Sequence, residues 1–197
     1  MGGSGHGLRT SPLCRLLHRS VRRGGRRRVV TTTVIREAAA DDAEMIQAIE
    51  AAADALLIDV LGAPEWPPPG DAIERLGQPG YVLVLDDPDD DFPVGFVHVL
   101  DVDGHAHLEQ LSVLPESGQQ GYGRSLVTAA LDEARERGYT RVTLRTYADI
   151  PWNAPFYASC GFLESIPESG FQLGLVETEA SLGIDRYGRR LQMTVEL

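Results

Sequence analysis

The amino-acid sequence predicts a mixed α/β fold in one domain, and three features predict it. Runs of β-branched and apolar residues recur at strand length along the chain. Asp103-Gly104 joins two of these runs, which is the mark of a tight antiparallel hairpin. One longer stretch, Arg124 to Arg137, places Leu126, Val127, Ala130, Leu131 and Ala134 at helical spacing and stops at Gly138. With 197 residues the chain can bury one sizeable core and is short for two.

Taken in order, residues 1–30 are rich in Gly, Arg and Ser and predict a disordered basic extension ahead of a domain spanning 31–197. The extension reads in three ways: a targeting peptide, a basic arm for an anionic partner, or the product of an upstream start codon. Val29 to Ile35 reads as a strand. Asp41-Asp42-Ala43-Glu44 then opens a helix carrying Met45, Ile46 and Ile49 and running on through Ala55 to Leu61. Pro64, Pro67, Pro68 and Pro69 make the segment from Gly62 to Gly70 a loop, because proline donates no helical hydrogen bond. Strands follow at Tyr81 to Leu85, Val94 to Val102 and His105 to Leu114. The acidic run Asp86 to Asp91 reads as a solvated turn, since it lacks the alternating ligand spacing of a calcium loop. Beyond the long helix come a strand from Arg141 to Tyr147, a short helix near Asn153 to Ser159, and strands near Phe171 to Thr178 and Leu191 to Leu197.

Composition excludes several kinds of chemistry. The chain has no lysine, so a Schiff base and a Walker-type phosphate loop are both ruled out. Its two cysteines, Cys14 and Cys160, build neither a disulfide framework nor a multi-cysteine metal site, which suits a reducing, cytoplasmic setting. No apolar stretch approaches the roughly 20 residues of a membrane span. The net charge of −11 is unevenly distributed: residues 1–36 hold nine Arg and no acid, whereas 37–197 hold nine Arg against 29 acids, a balance of −20. So acidic a body argues against a nucleic-acid partner; it suits a cationic amine, or serves solubility alone. His105 and His107 lack a third neighbouring ligand, so no metal site is expected.

The segment Leu111-Ser-Val113-Leu-Pro115-Glu-Ser-Gly118-Gln119-Gln120-Gly121-Tyr122-Gly123-Arg124-Ser125 puts a strand, a glycine-rich turn and a helix start in succession. Such a turn lets backbone N–H groups converge on an anion at the positive end of the helix dipole. Its glycine spacing differs from the dinucleotide fingerprint. A purely structural strand-to-helix connection fits the same residues.

Here the chain resembles the GCN5-related N-acetyltransferase (GNAT) family. That family's coenzyme loop reads Gln/Arg-x-x-Gly-x-Gly/Ala after a strand ending Val-x-Pro, and Gly121 and Gly123 fall on its two glycines. A second family element, Tyr-x-x-x-Gly-Phe, stands at Tyr157 to Phe162. Two departures are plain: the leading Gln or Arg falls on Gly118, and the asparagine usual seven residues before the tyrosine falls on Ile150, with Asn153 lying nearer. The resemblance covers about residues 34–197. It implies the family's acyl-CoA N-acyltransferase fold, a central, mostly antiparallel sheet flanked by helices.

The resemblance further implies acetyl-CoA as cosubstrate, held by the strand at Leu111 and Val113, by Gly118, Gln119, Gln120, Gly121, Tyr122, Gly123, Arg124 and Ser125, and by Asn153. A primary amine would attack the thioester directly, with Tyr157 as the acid for the departing thiolate. Two-residue alternation places His107, Glu109, Leu111 and Val113 on one strand face, making Glu109 and His107 the candidate bases. A solvated strand edge would explain the same two residues without chemistry. The alternative to an enzyme is a non-catalytic acyl-CoA-binding or regulatory module. An exposed C-terminal strand edge could pair across a homodimer.

Overall fold

The computed structural model describes residues 33–87 and 92–197. The basic extension at 1–30, the start of the first predicted strand and most of the acidic turn lie outside the described residues. Seven strands form one sheet in the order β1-β2-β3-β4-β5-β7-β6: β1 Val34–Glu37, β2 Gly80–Asp86, β3 Pro93–Val102, β4 His105–Val113, β5 Arg141–Tyr147, β6 Leu163–Ser165 and β7 Arg190–Glu196. All pairings are antiparallel except β4 with β5. The helices are α1 Ala43–Leu61, α2 Ala72–Leu76, α3 Tyr122–Glu136, α4 Ala154–Ser159 and α5 Gly170–Leu182.

Alternation along the strands sorts side chains to two faces. On one, Leu83, Leu85, Val97, Val99, Leu108, Val142, Leu144 and Met193 pack with Leu126, Ala130 and Ala134 of α3 and with Tyr157 and Phe162. On the other, Val82, Val84 and Phe96 pack with Ile46 and Ile49 of α1. That second face turns polar toward β5 and β7. There Arg145, Glu179 of α5 and Arg190 form a buried ion cluster, with Arg145 Nη2 2.7 Å and Arg190 Nη2 2.5 Å from opposite oxygens of Glu179.

Three expectations need correction. The C-terminal strand β7 offers no exposed edge to pair across a dimer, because β5 flanks it on one side and β6 on the other. Residues Phe171 to Thr178 are helical, within α5: Ser169 Oγ accepts from Gln172 N while the Gln172 side chain accepts from Ser169 N, a capping box that overrides the apolar alternation. Between Gly70 and Gly80, where the sequence predicts no element, Asp71 Oδ1 accepts from the amides of Ile73 and Glu74 and so starts α2. The long helix begins at Tyr122, two residues before the predicted start, which brings Gly123 into its first turn. Replacing Ser169 by Ala removes a helix cap and should lower unfolding free energy by ~1 kcal/mol in a denaturant titration.

Candidate active site

β4 runs beside β3 along its whole length, but beside β5 only where Ala106, Leu108 and their neighbour face Val142 to Leu144. Past Leu108 the two strands part. At the same place β4 bulges: His98 of β3 lies opposite Gln110, while the next residue, Val99, lies opposite Leu108, so Glu109 is the extra residue. The bulge reverses the side-chain alternation. Leu111 and Val113 therefore pack toward the α3 side rather than sharing a face with His107 and Glu109 as strict alternation predicts. Backbone groups of residues 109–113 that point away from β3 face the opening.

Nor is β4 a solvated edge, being flanked by β3 and β5 near the middle of the sheet. His107 is only 3% exposed; Thr143 Oγ1 lies 2.9 Å from its Nδ1, and the Phe171 ring meets it edge-on with centroids 5.3 Å apart. Burial pushes its pKa down to about 4, so it is neutral at pH 7. Glu109, by contrast, has a side chain 38% exposed. Burial would raise its carboxyl, but hydrogen bonding from His98 and the charge of Arg75 outweigh that and hold it below the ordinary range. Arg75 Nη1 lies 2.6 Å and His98 Nδ1 3.2 Å from its Oε2. Behind Arg75 stands Glu50 of α1, with both oxygens 2.8 Å from Nη2; burial raises the Glu50 carboxyl to about 7. The sequence reading did not find Glu50, Arg75 or His98.

On the α3 side of the opening sits the glycine turn. Gln119 (φ 59°) and Gly121 (φ 86°) both adopt left-handed backbone, which turns the chain into α3. The first helical bond is Ser125 N to Gly121 O at 3.0 Å, so the amides of Gly123 and Arg124 precede the hydrogen-bonded ladder and are available to an anion. Gly118 and Gln120 complete the approach to the turn, and Tyr122 opens the helix. Ser125 is buried, its Oγ 3.3 Å from Gly121 O. The Arg124 side chain is committed elsewhere: its guanidinium donates to Ser159 O at 2.8 Å and Ser159 Oγ at 2.7 Å, tying α4 to the start of α3. A Cβ at position 123 would stand 3.5 Å from the Phe156 ring, so α4 lies directly against the turn.

Asn153 caps α4 by position without a side-chain cap bond, and its carbonyl accepts from Tyr157 N at 3.0 Å. Tyr157 is 8% exposed, wedged edge-to-face between Phe156 and Phe162. Burial raises its phenol above the ordinary value, so it stays protonated at neutral pH. Across the sheet, Trp66 of the proline-rich segment lies 6.3 Å from Tyr147 and 6.4 Å from Tyr187, ring centre to ring centre. Among the described residues, no group of three or more His, Cys, Asp or Glu could hold a metal ion, and no helix is long and apolar enough to cross a membrane.

The sheet's central parallel pair splays open, with a glycine-rich helix start on one face and a carboxylate on the other. The chain belongs to the acetyltransferase (GNAT) family, whose family model matches residues 43–162. Solved structures of similar fold include a GCN5-related N-acetyltransferase from Rhodopseudomonas palustris, 21% identical with TM-score 0.61 over 87% of this chain and 99% of that one. The ribosomal-protein-S18-alanine N-acetyltransferase from Escherichia coli is 18% identical with TM-score 0.58, over 84% and 94%. The N-acetylglutamate synthase from Neisseria gonorrhoeae, complexed with coenzyme A and N-acetyl-glutamate, is 17% identical with TM-score 0.60 over 84% of this chain. This chain spans 35% of that longer protein.

The buried, neutral His107 makes acid stability testable. Its pKa is lowered from 6.5 to about 4 on folding, so the unfolded state binds the extra proton between those values. Its contribution is full above pH 6.5 and is lost as pH falls toward 4, by roughly 3 kcal/mol. The stability difference between the wild-type protein and His107→Gln should therefore shrink by that order between pH 7 and pH 4, measured by urea unfolding at each pH.

Proposed function

We propose that this protein is an N-acetyltransferase that moves the acetyl group of acetyl-CoA to a primary amine by direct attack. The observation that carries the reading is the opening of the sheet after Leu108, with the amides of Gly123 and Arg124 on one side and Glu109 on the other. The coenzyme's pyrophosphate would sit on the turn from Gly118 to Ser125. Its pantetheine would run past Asn153 into the gap and pair with backbone groups of Leu111 and Val113 that β5 leaves unpaired. The coenzyme A bound to the Neisseria gonorrhoeae enzyme of the same fold supports this choice of cosubstrate.

Of the two candidate bases, Glu109 is the one we assign. It is partly exposed and ionised, whereas His107 is sealed beneath Phe171. Glu109 takes a proton from the acceptor ammonium, directly or through water; the neutral amine adds to the thioester carbonyl, whose oxygen draws on a backbone N–H of the strand from Leu111 to Val113. The tetrahedral adduct then loses the extra proton on its nitrogen to water and expels coenzyme A as thiolate, leaving a neutral amide. A phenol raised above its usual value gives up its proton less readily than an ordinary thiol. Tyr157 therefore acts by donating a hydrogen bond to the departing sulfur, which takes its proton from solvent.

The test is calorimetric titration with acetyl-CoA, followed by thiol release with a panel of primary amines. The wild-type chain should bind in the micromolar range. Gly123→Trp, which drives a ring into Phe156 and the turn, should abolish binding. Tyr157→Phe should bind acetyl-CoA as before while kcat falls roughly 10- to 100-fold, the worth of a hydrogen bond to a charged group. A wild-type chain that binds the coenzyme but releases no thiol with any amine would be a binding module; one that does not bind would remove the acetyl-CoA assignment.

A further inference from the structure

Arg75 belongs to none of the sequence motifs, yet its guanidinium is 8% exposed and links the candidate base to a second, buried carboxylate, Glu50. It arrives from α2, passing 5.6 Å from the Phe96 ring. Its terminal nitrogens divide their work: Nη2 is gripped by both oxygens of Glu50, each at 2.8 Å, and Nη1 reaches Glu109 Oε2 at 2.6 Å. His98 Nδ1 closes on the same Oε2 at 3.2 Å. Both protein contacts therefore fall on one oxygen of Glu109, and Oε1 has no protein donor among the described residues. A carboxyl on a strand bulge would otherwise turn freely about its last bond and offer its two oxygens interchangeably.

We propose that Arg75, anchored from behind by Glu50, is a positioning residue that pins Glu109 Oε2 and thereby presents Oε1 to the acceptor amine. The proposal rests on the reading of Glu109 as the base. Stability alone gives no account of the arrangement, because a buried ion pair contributes little relative to apolar residues of the same volume. Orientation does give one: Nη1 and Nη2 lie in one rigid plane, so fixing Nη2 on Glu50 fixes where Nη1 meets Glu109. The charged and titratable groups facing Glu109 are Arg75 on α2, Glu50 and Asp54 on α1, His98 on β3 and His107 beside it on β4.

Removing Arg75 alone would strand Glu50 as a buried charge, so the decisive variant is Glu50→Gln with Arg75→Met, which removes both charges together. The full chain would be labelled with [δ-13C]glutamate, and the carboxyl signal missing from Glu109→Gln assigned to Glu109. In the double variant the Glu109 titration midpoint should rise, because its cationic partner is gone. With acetyl-CoA and the fastest amine of the panel, kcat/KM should fall roughly 10- to 100-fold, the scale of a misplaced catalytic group. The acidic limb of its pH profile should move to higher pH, with acetyl-CoA affinity unchanged. Arg75→Lys should restore the limb, since it keeps the charge, but not the rate, since a single ammonium cannot bridge both carboxylates. If the double variant keeps wild-type rate and pH profile while Glu109→Gln is inactive, the positioning role is overturned and the base stands. If Glu109→Gln turns over normally, the base assignment fails and the positioning role fails with it.

Discussion

β4 cannot satisfy its own backbone. It is bonded to β3 throughout, but the pairing with β5 ends at Leu108 opposite Leu144, after which alternate N–H and C=O groups face an opening. Buried main-chain groups left unpaired cost free energy comparable to a lost hydrogen bond, so the gap is a standing demand for a polar, extended partner. A pantetheine arm, with its own amide groups, has the shape and chemistry to meet that demand. The glycine turn follows β4 directly, and α4, which carries Tyr157, packs its Phe156 against Gly123 of that turn.

The two faces of the sheet answer this opening differently. On the α3 side the residues are apolar, from Leu108 and Leu144 through Leu126 to Phe162, which gives a dry, close-packed wall. On the other side the charged residues come in threes, Glu50 and Glu109 about Arg75, and Arg145 and Arg190 about Glu179. The first trio is net negative and the second net positive. Glu109 and Arg145 are successors of the last paired residues on β4 and β5, so the field changes sign across the mouth of the splay. An ammonium acceptor of the kind proposed would be drawn to the β4 side, where Glu109 stands.

Much of this was legible in the chain, and what was not has a physical reason. The hairpin at Asp103-Gly104, the turn from Gly118 to Gly123 and the helix after it are encoded by neighbours in sequence, and local chemistry is what a sequence displays. Helix α5 was misread because Phe171, Leu173 and Leu175 alternate like a strand, while the capping box at Ser169 and Gln172 was the competing signal. The bulge at Glu109 leaves no local trace, since it is defined by the register of β3, and it decides that Leu111 and Val113 face away from Glu109. The ion network escaped for the same reason: Arg75 lies 25 residues from Glu50 and 34 from Glu109, and a five-residue helix missed in the sequence brings the three together.

Around Arg75 the two carboxylates are pushed apart in acidity by their surroundings. Burial lifts Glu50 to about 7, whereas Glu109 lies below the ordinary range because His98 and Arg75 hold its partly exposed carboxyl as an anion. A proton entering this trio therefore settles on Glu50 first. Once Glu50 is neutral, the whole charge of Arg75 is directed at Glu109, which strengthens its hold on the anionic form. The cost of hiding a carboxylate thus falls on Glu50, and Glu109, the more exposed of the two, stays deprotonated across the neutral range. In the role proposed for it, a base this weak removes a proton only from an ammonium made more acidic by loss of water in the opening, against the pull of the net negative trio beside it.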